Sequence, residues 1–247
     1  MRNIKLILEY DGTDFFGFQR QPGKRTIQSE LEKAFQRIFR KRIKISAASG
    51  RTDAGVHAKG QVVNFKVDSE IPLRNIHRAL NTYLPEDLAV NHIEEVSPDF
   101  HARFWAKSKI YQYAICNSPV RPVLERREVY HFPYPLNVAA IRRASRHILG
   151  RHDFRSFQTK ADGRNSTRTI QSLLIQKKDC NIYLTIEGDG FLYNMVRNLV
   201  GALLLVGSGK LTDHDLKVIL MKKSRSHVGP TTPALGLTLL EVKYVSK

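Results

Sequence analysis

Two successive stretches of this chain carry the same order of hydrophobic periods, and that repetition limits the available folds more than any other feature. Residues 3–10 alternate as a strand that stops at the turn signal Asp11-Gly12. Thr26 is placed to cap a helix whose apolar face is Ile27, Leu31, Ala34, Phe35 and Ile38, at spacings of three and four. Residues 43–48 and 61–67 read as strands on either side of a glycine-flanked loop. A second helix follows Pro72, with Leu73, Ile76, Leu80 and Leu84 in line, and residues 88–96 close the set as a strand.

The same order then returns. Residues 109–116 alternate as a strand, and Asn137 caps a helix carrying Val138, Ile141, Ile148 and Leu149. Residues 170–177 and 181–187 form a hairpin, residues 192–206 an apolar helix, and a short helix starts at Thr212 with acids in its first turn. Residues 237–244 supply the last strand. An α/β (α+β) fold of two tandem ferredoxin-like β-α-β-β-α-β units is the simplest architecture for this pattern. The boundary falls near residues 97–108, which divides the chain into domains over 1–103 and 104–247.

Charge points to the kind of partner. Lys and Arg number 40 against 23 acids, a net charge of +17 over 247 residues. A basic excess of that size attracts a polyanion through phosphate contacts and counterion release, and nucleic acid is favoured over a surface kept basic for solubility. Cys116 and Cys180 are far apart in sequence and in no metal-type spacing, so neither a disulfide framework nor a zinc site is expected, and a reducing cytoplasm fits. Glu9 and Asp11 interrupt the early apolar stretch, which argues against a signal peptide. The longest apolar run, residues 199–207, is far short of the roughly 20 residues that a membrane helix needs. A soluble protein of the cytoplasm is expected.

The segment Ser49-Gly-Arg-Thr-Asp-Ala-Gly-Val-His57 is the most unusual in the chain. Gly50 and Gly55 permit backbone conformations closed to other residues and let a substrate approach closely. Arg51 beside Asp53 favours the ionised acid. An Asx turn, in which Asp53 only bonds its own backbone, explains the same residues locally. Arg197 stands in a helix apolar over most of its circumference. A buried guanidinium needs a partner, and its own helix offers no acid within one turn. The alternative places Arg197 on a solvated stripe with Tyr193, Asn194 and Gly201. Tyr111 and Tyr113 share one face of a strand, where they either pack in the core or stack on an unstacked base. Gly207-Ser-Gly-Lys210 fails as a phosphate loop, with Leu204 where the first glycine belongs and Leu211 in place of Ser or Thr.

Gly50-Arg-Thr-Asp-Ala-Gly-Val-His-Ala58 resembles the catalytic signature of the TruA family of tRNA pseudouridine synthases. The likeness continues through Tyr10-Asp-Gly-Thr13, Gly17-Phe-Gln-Arg-Gln21, Gly60-Gln-Val-Val-Asn-Phe65, Ala79-Leu-Asn81 and Leu84-Pro-Glu-Asp87. It extends through Phe100-His-Ala-Arg-Phe104, Lys109-Ile-Tyr-Gln-Tyr113, His152-Asp-Phe154, the stretch from Phe191 to Gly201, and Pro233-Ala-Leu-Gly-Leu237. It therefore covers the chain end to end and overturns the Asx-turn reading. Phe18 stands where the family usually has Trp, and residues 120–130 match poorly.

The resemblance implies a pseudouridine synthase fold with the active-site cleft between the two units. It makes Asp53 the nucleophile, Arg197 its partner across the cleft, Tyr111 the ring that stacks on the target base, and Arg51 a support for the loop or the RNA. It further implies a homodimer that converts uridine to pseudouridine at positions 38 to 40 of the tRNA anticodon stem-loop, with no cofactor and no metal. A non-catalytic RNA-binding protein and a hydrolase of the same glycosidic bond are the rival readings.

Overall fold

The structure is a computed structural model and describes residues 1–159, 163 and 165–244. The chain runs through β1 (Arg2–Tyr10), α1 (Ile27–Phe39), β2 (Ala47–Ala48), β3 (His57–Val67), α2 (Leu73–Tyr83) and β4 (Leu88–Val96). It continues through β5 (Ala106–Cys116), β6 (Tyr130–His131), α3 (Val138–Ser145), β7 (Gly150–Asp153), β8 (Thr167–Lys178) and β9 (Asn181–Gly188). Then come α4 (Met195–Gly207), α5 (Asp213–Lys222) and β10 (Leu237–Tyr244). The mixed α/β succession expected from the periodicity is present. The protein has the α+β pseudouridine synthase fold.

The chain forms two compact units, Met1–Lys107 with Thr238–Lys247, and Ser108–Leu237. The sequence division at 103/104 leaves β10 with the second part of the chain. In the structure this strand lies parallel to β3, Thr238 opposite His57 and Leu239 opposite Ala58, and so counts with the first unit.

In the first unit β1 sits between β4 and β3, antiparallel to both, and β2 lies along β3. This β4-β1-β3-β2 order is that of a ferredoxin-like unit. Thr26 caps α1 with a reciprocal box in which its hydroxyl accepts from the Ser29 N–H and the Ser29 hydroxyl accepts from the Thr26 N–H. Ile27, Leu31, Ala34 and Phe35 are buried, Phe35 packing against Phe65 of β3 with ring centroids 4.3 Å apart and the rings tilted by 33°. Only Ala47 and Ala48 of the expected strand 43–48 pair regularly. The Ser46 and Ser49 N–H groups still donate to Asn64 and Val62, so the segment follows β3 without a full ladder.

In the second unit the order is β5-β9-β8-β7, with β6 parallel to β5. The hairpin of β8 and β9 turns through Asp179 at φ 53°. The short strands β6 and β7 have no hydrophobic period and were invisible in the sequence. Asn137 caps α3 by accepting from the Ala140 N–H, and the helix ends at Ser145, leaving Leu149 exposed rather than on an apolar face. Pairing of Cys116 with Asn181 brings two cysteines distant in sequence together, reduced, with sulfurs 4.0 Å apart. Among the described residues no helix is long and apolar enough to cross a membrane.

Candidate active site

The loop of residues 49–56 leaves β2 and enters β3, and its backbone is fixed at several points. The Phe18 N–H donates to the Thr52 carbonyl at 3.0 Å, the Val56 N–H to the Asp53 carbonyl at 3.2 Å, and the Gly55 N–H to the Phe15 carbonyl at 3.3 Å. Gly55 has φ +78°, the left-handed conformation that glycine adopts without cost. Beneath the loop, the Tyr10 and Thr52 hydroxyls are 2.7 Å apart and buried. The Ser49 hydroxyl donates to Gln61 Oε1 at 2.6 Å.

Two glycines in the segment after β1 press on the same loop. A β-carbon on Gly17, at φ +81°, would lie 2.8 Å from the Thr52 carbonyl oxygen and 3.2 Å from the Asp53 carbonyl carbon. Asp53 itself is half-buried and Arg51 exposed, so the loop shows charge of both signs to solvent while its backbone is held from below. His57, at the start of β3, is buried. Its Nδ1 accepts from the Gly12 N–H at 3.1 Å and lies 3.1 Å from Asp11 Oδ1.

The other candidates lie in the second unit. Tyr111 and Tyr113 of β5 are both buried, but their surroundings differ. The Tyr113 hydroxyl donates to the Pro233 carbonyl at 2.7 Å, so this ring is core. Tyr111 packs edge-on against Phe191, centroids 5.2 Å apart.

Arg197 is half-buried in the first turn of α4, because Asn194 at φ 59° delays the helix from the expected residue 192 to Met195. Its Nε donates to the Thr232 carbonyl at 2.7 Å and its Nη1 to Asn194 Oδ1 at 3.0 Å, while the Thr232 hydroxyl donates back to the Arg197 carbonyl. The solvated-stripe alternative fails at Gly201. That residue is buried, and a β-carbon there would lie 2.5 Å from the Pro230 carbonyl oxygen.

A concavity of about 580 Å³ in the second unit is lined by Arg121, Arg126, Tyr130, His131 and Pro233 among others, and includes none of these candidates. Among the described residues no group of three or more His, Cys, Asp or Glu side chains is arranged to hold a metal ion.

The profile of the tRNA pseudouridine synthase family matches residues 6–105 and 144–245. The chain belongs to that family. It is 46% identical over 245 residues to tRNA pseudouridine synthase A of Shouchella clausii, covering 99% of this chain and 94% of the relative. It is 43% identical to the synonymous protein of Brevibacillus brevis and 44% identical to tRNA pseudouridine synthase A 2 of Clostridium perfringens, with 99% of this chain and 100% of each relative covered. Membership makes the protein an isomerase that acts on tRNA uridines, and the passive RNA-binding reading finds no support in these relatives.

Residues 106–143 fall between the two matched segments, a gap that contains the poorly matching residues 120–130 and also Tyr111. The support beneath the Asp53 loop had no part in the sequence assignment of site residues. Its members Tyr10, Gly12, Gly17 and Gln61 all stand in the quoted motifs, which was the available signal.

Proposed function

We propose that Asp53 is the nucleophile with which this isomerase converts uridines 38 to 40 of the tRNA anticodon stem-loop, without a cofactor. The observation that carries the reading is the half-buried carboxylate on a loop whose backbone is bonded on both sides of it. A group so placed meets a substrate with little reorganisation, which is the requirement for covalent catalysis by a weak nucleophile. The target uridine leaves its stack at a cost of a few kcal/mol, recovered through stacking and pocket contacts. Asp53 then attacks the pyrimidine C6 or the sugar C1′. The glycosidic bond to N1 breaks, the ring turns and C5 bonds to C1′. The bond to Asp53 is broken again, and the proton lost from C5 is balanced by one gained at N1, so the product is an isomer of the substrate.

Tyr111 is the ring proposed to stack on the extruded base. Arg197 is the proposed cation that favours the ionised carboxylate, and Arg51 an exposed contact for the loop or the RNA backbone. The net charge of +17 supports an RNA partner. The family resemblance extends the reading to a homodimer working in the cytoplasm. Asp53→Ala is the direct test. Binding of tRNA survives in that variant while tritium release from 5-tritiated uridine stops; retained release refutes the assignment, and free uracil in place of pseudouridine in the parent protein supports a hydrolase.

A further inference from the structure

Gln61 is wholly buried in β3, three residues beyond the Ala58 that pairs with Tyr10, and its side chain turns under the Asp53 loop. Its Oε1 accepts from the Ser49 hydroxyl at 2.6 Å and from the Val62 N–H at 3.1 Å. Its Nε2 donates to the Gly50 carbonyl at 3.0 Å and reaches the Tyr10 hydroxyl at 3.4 Å, which in turn meets the Thr52 hydroxyl at 2.7 Å. The orientation of the amide is dictated by its partners. Only its oxygen can accept from the Val62 N–H, and only its nitrogen can donate to the Gly50 carbonyl. One side chain therefore ties the backbone three residues before Asp53 and, through Tyr10, the side chain immediately before it.

We propose that Gln61 is a positioning residue for Asp53, holding the loop from Gly50 to Thr52 so that the carboxylate keeps its reactive placement. The inference rests on the reading of Asp53 as the nucleophile. Buried polar networks of this kind specify one geometry when every member is satisfied, and lose it when one member is not. Glutamate has the shape of glutamine, but as a carboxylate it only accepts, so it would turn an oxygen toward the Gly50 carbonyl where a donor is required. Protonated glutamate can donate there. The Tyr10 hydroxyl is not a candidate for the proton chemistry itself, because it is buried and committed to Thr52.

The test compares Gln61→Glu with the parent protein in single-turnover tritium release and in tRNA binding. At pH 8 the rate is expected to fall at least tenfold while tRNA affinity stays within about twofold. The ratio to the parent rate is expected to recover as pH falls and the new carboxyl becomes protonated. Tyr10→Phe, which removes one hydroxyl and no bulk, gives a smaller loss of rate with the same unchanged affinity, and decides the matter if Gln61→Glu does not fold. Parent-like rates in both variants, or losses that follow affinity or melting rather than the rate step, overturn the proposal. Asp53→Ala run alongside separates the two claims: release retained there removes the nucleophile assignment, whereas release lost there with parent-like Gln61→Glu and Tyr10→Phe removes only the positioning role.

Discussion

Gly12 lies so close to Val56 that a methyl group on its α-carbon would sit 2.0 Å from the Val56 carbonyl oxygen and 2.5 Å from the carbonyl carbon. The obstacle is backbone on both sides, so no side-chain rotation relieves it. Gly12→Ala must push the segment after β1 away from the loop that carries Asp53. The expected outcome is a loss of about 2 kcal/mol or more in thermal or denaturant unfolding, with tritium release reduced at least tenfold. Gly23 supplies the contrast: φ is +66° there and nothing lies within 4 Å of an added β-carbon. Gly23→Ala should cost about 1 kcal/mol of backbone strain and leave turnover unchanged. Equal activity losses in the two variants would break the link between the Gly12 contact and the loop.

Arg197 gives a different kind of test, because its location runs against local preference. A cation in the first turn of a helix faces the positive end of the dipole, which is mildly unfavourable. The Thr232 carbonyl and the Asn194 side chain hold it there with two hydrogen bonds from two different nitrogens. Lysine keeps the charge but has one nitrogen, and does not reproduce a fork that engages two acceptors. Arg197→Lys is expected to lower turnover at least tenfold while costing only about 1 kcal/mol of stability. Arg197→Leu should abolish turnover with the fold kept, read by circular dichroism and tritium release on the same samples. Unchanged activity in the leucine variant would show that the guanidinium serves packing alone.

Alkaline stability follows from the buried tyrosines. Desolvation by burial pushes Tyr10 up to about 12, against the lowering effect of its bonds with Thr52 and Gln61, and burial also raises Tyr113 and Tyr244. The folded state thus holds these protons more tightly than the unfolded chain, in which tyrosine titrates near 10. Their contribution is complete below about pH 10 and is lost as pH rises above it, for Tyr10 through about 12 and for Tyr113 and Tyr244 over a longer range, so unfolding free energy should decline from about pH 10 upward. For Tyr10 the loss is on the order of 3 kcal/mol. Urea melts at pH 9, 10 and 11 should show the decline, and Tyr10→Phe should reduce its slope. A decline unchanged in Tyr10→Phe would assign the effect to other groups.

Local chemistry wrote much of this fold into the sequence. Thr26, Asn137 and Thr212 each cap the helix expected of them, because a hydroxyl or amide oxygen at that position satisfies an otherwise unpaired N–H. The Asp53 loop stood out because two glycines flank a charged pair, and its place between strands followed from the periods around it. Features that depend on distant parts of the chain were hidden. The alternation of residues 43–48 is strand-like, yet only Ala47 and Ala48 enter the ladder with β3. Asn194 in the left-handed region shortens α4, and nothing in its neighbours signals that. The association of β10 with β3 puts the chain's last strand in the first unit. Tyr10, Thr52 and Gln61 belong to three separate motifs, and only the register of β1 against β3 makes them one network. The pairing expected between Asp53 and Arg197 was likewise a matter of family likeness and not of any local pattern.

The charge of +17 makes a prediction that does not depend on any single residue. If the excess serves to grip RNA, binding is driven partly by release of condensed counterions, and the logarithm of the association constant falls linearly with the logarithm of salt concentration. With about five or six phosphates neutralised, the slope is near −4, and raising salt from about 50 to about 200 mM should weaken tRNA binding by roughly 250-fold. Filter binding or fluorescence anisotropy with unmodified tRNA measures this directly. Asp53→Ala should show the same slope as the parent, because removing one carboxylate from the site changes no phosphate contact. A slope near zero would mean that the basic residues are dispersed for solubility and that affinity comes from stacking and shape. A slope that changes markedly in Asp53→Ala would instead place the carboxylate against the RNA backbone, where a nucleophile aimed at an extruded base has no reason to be.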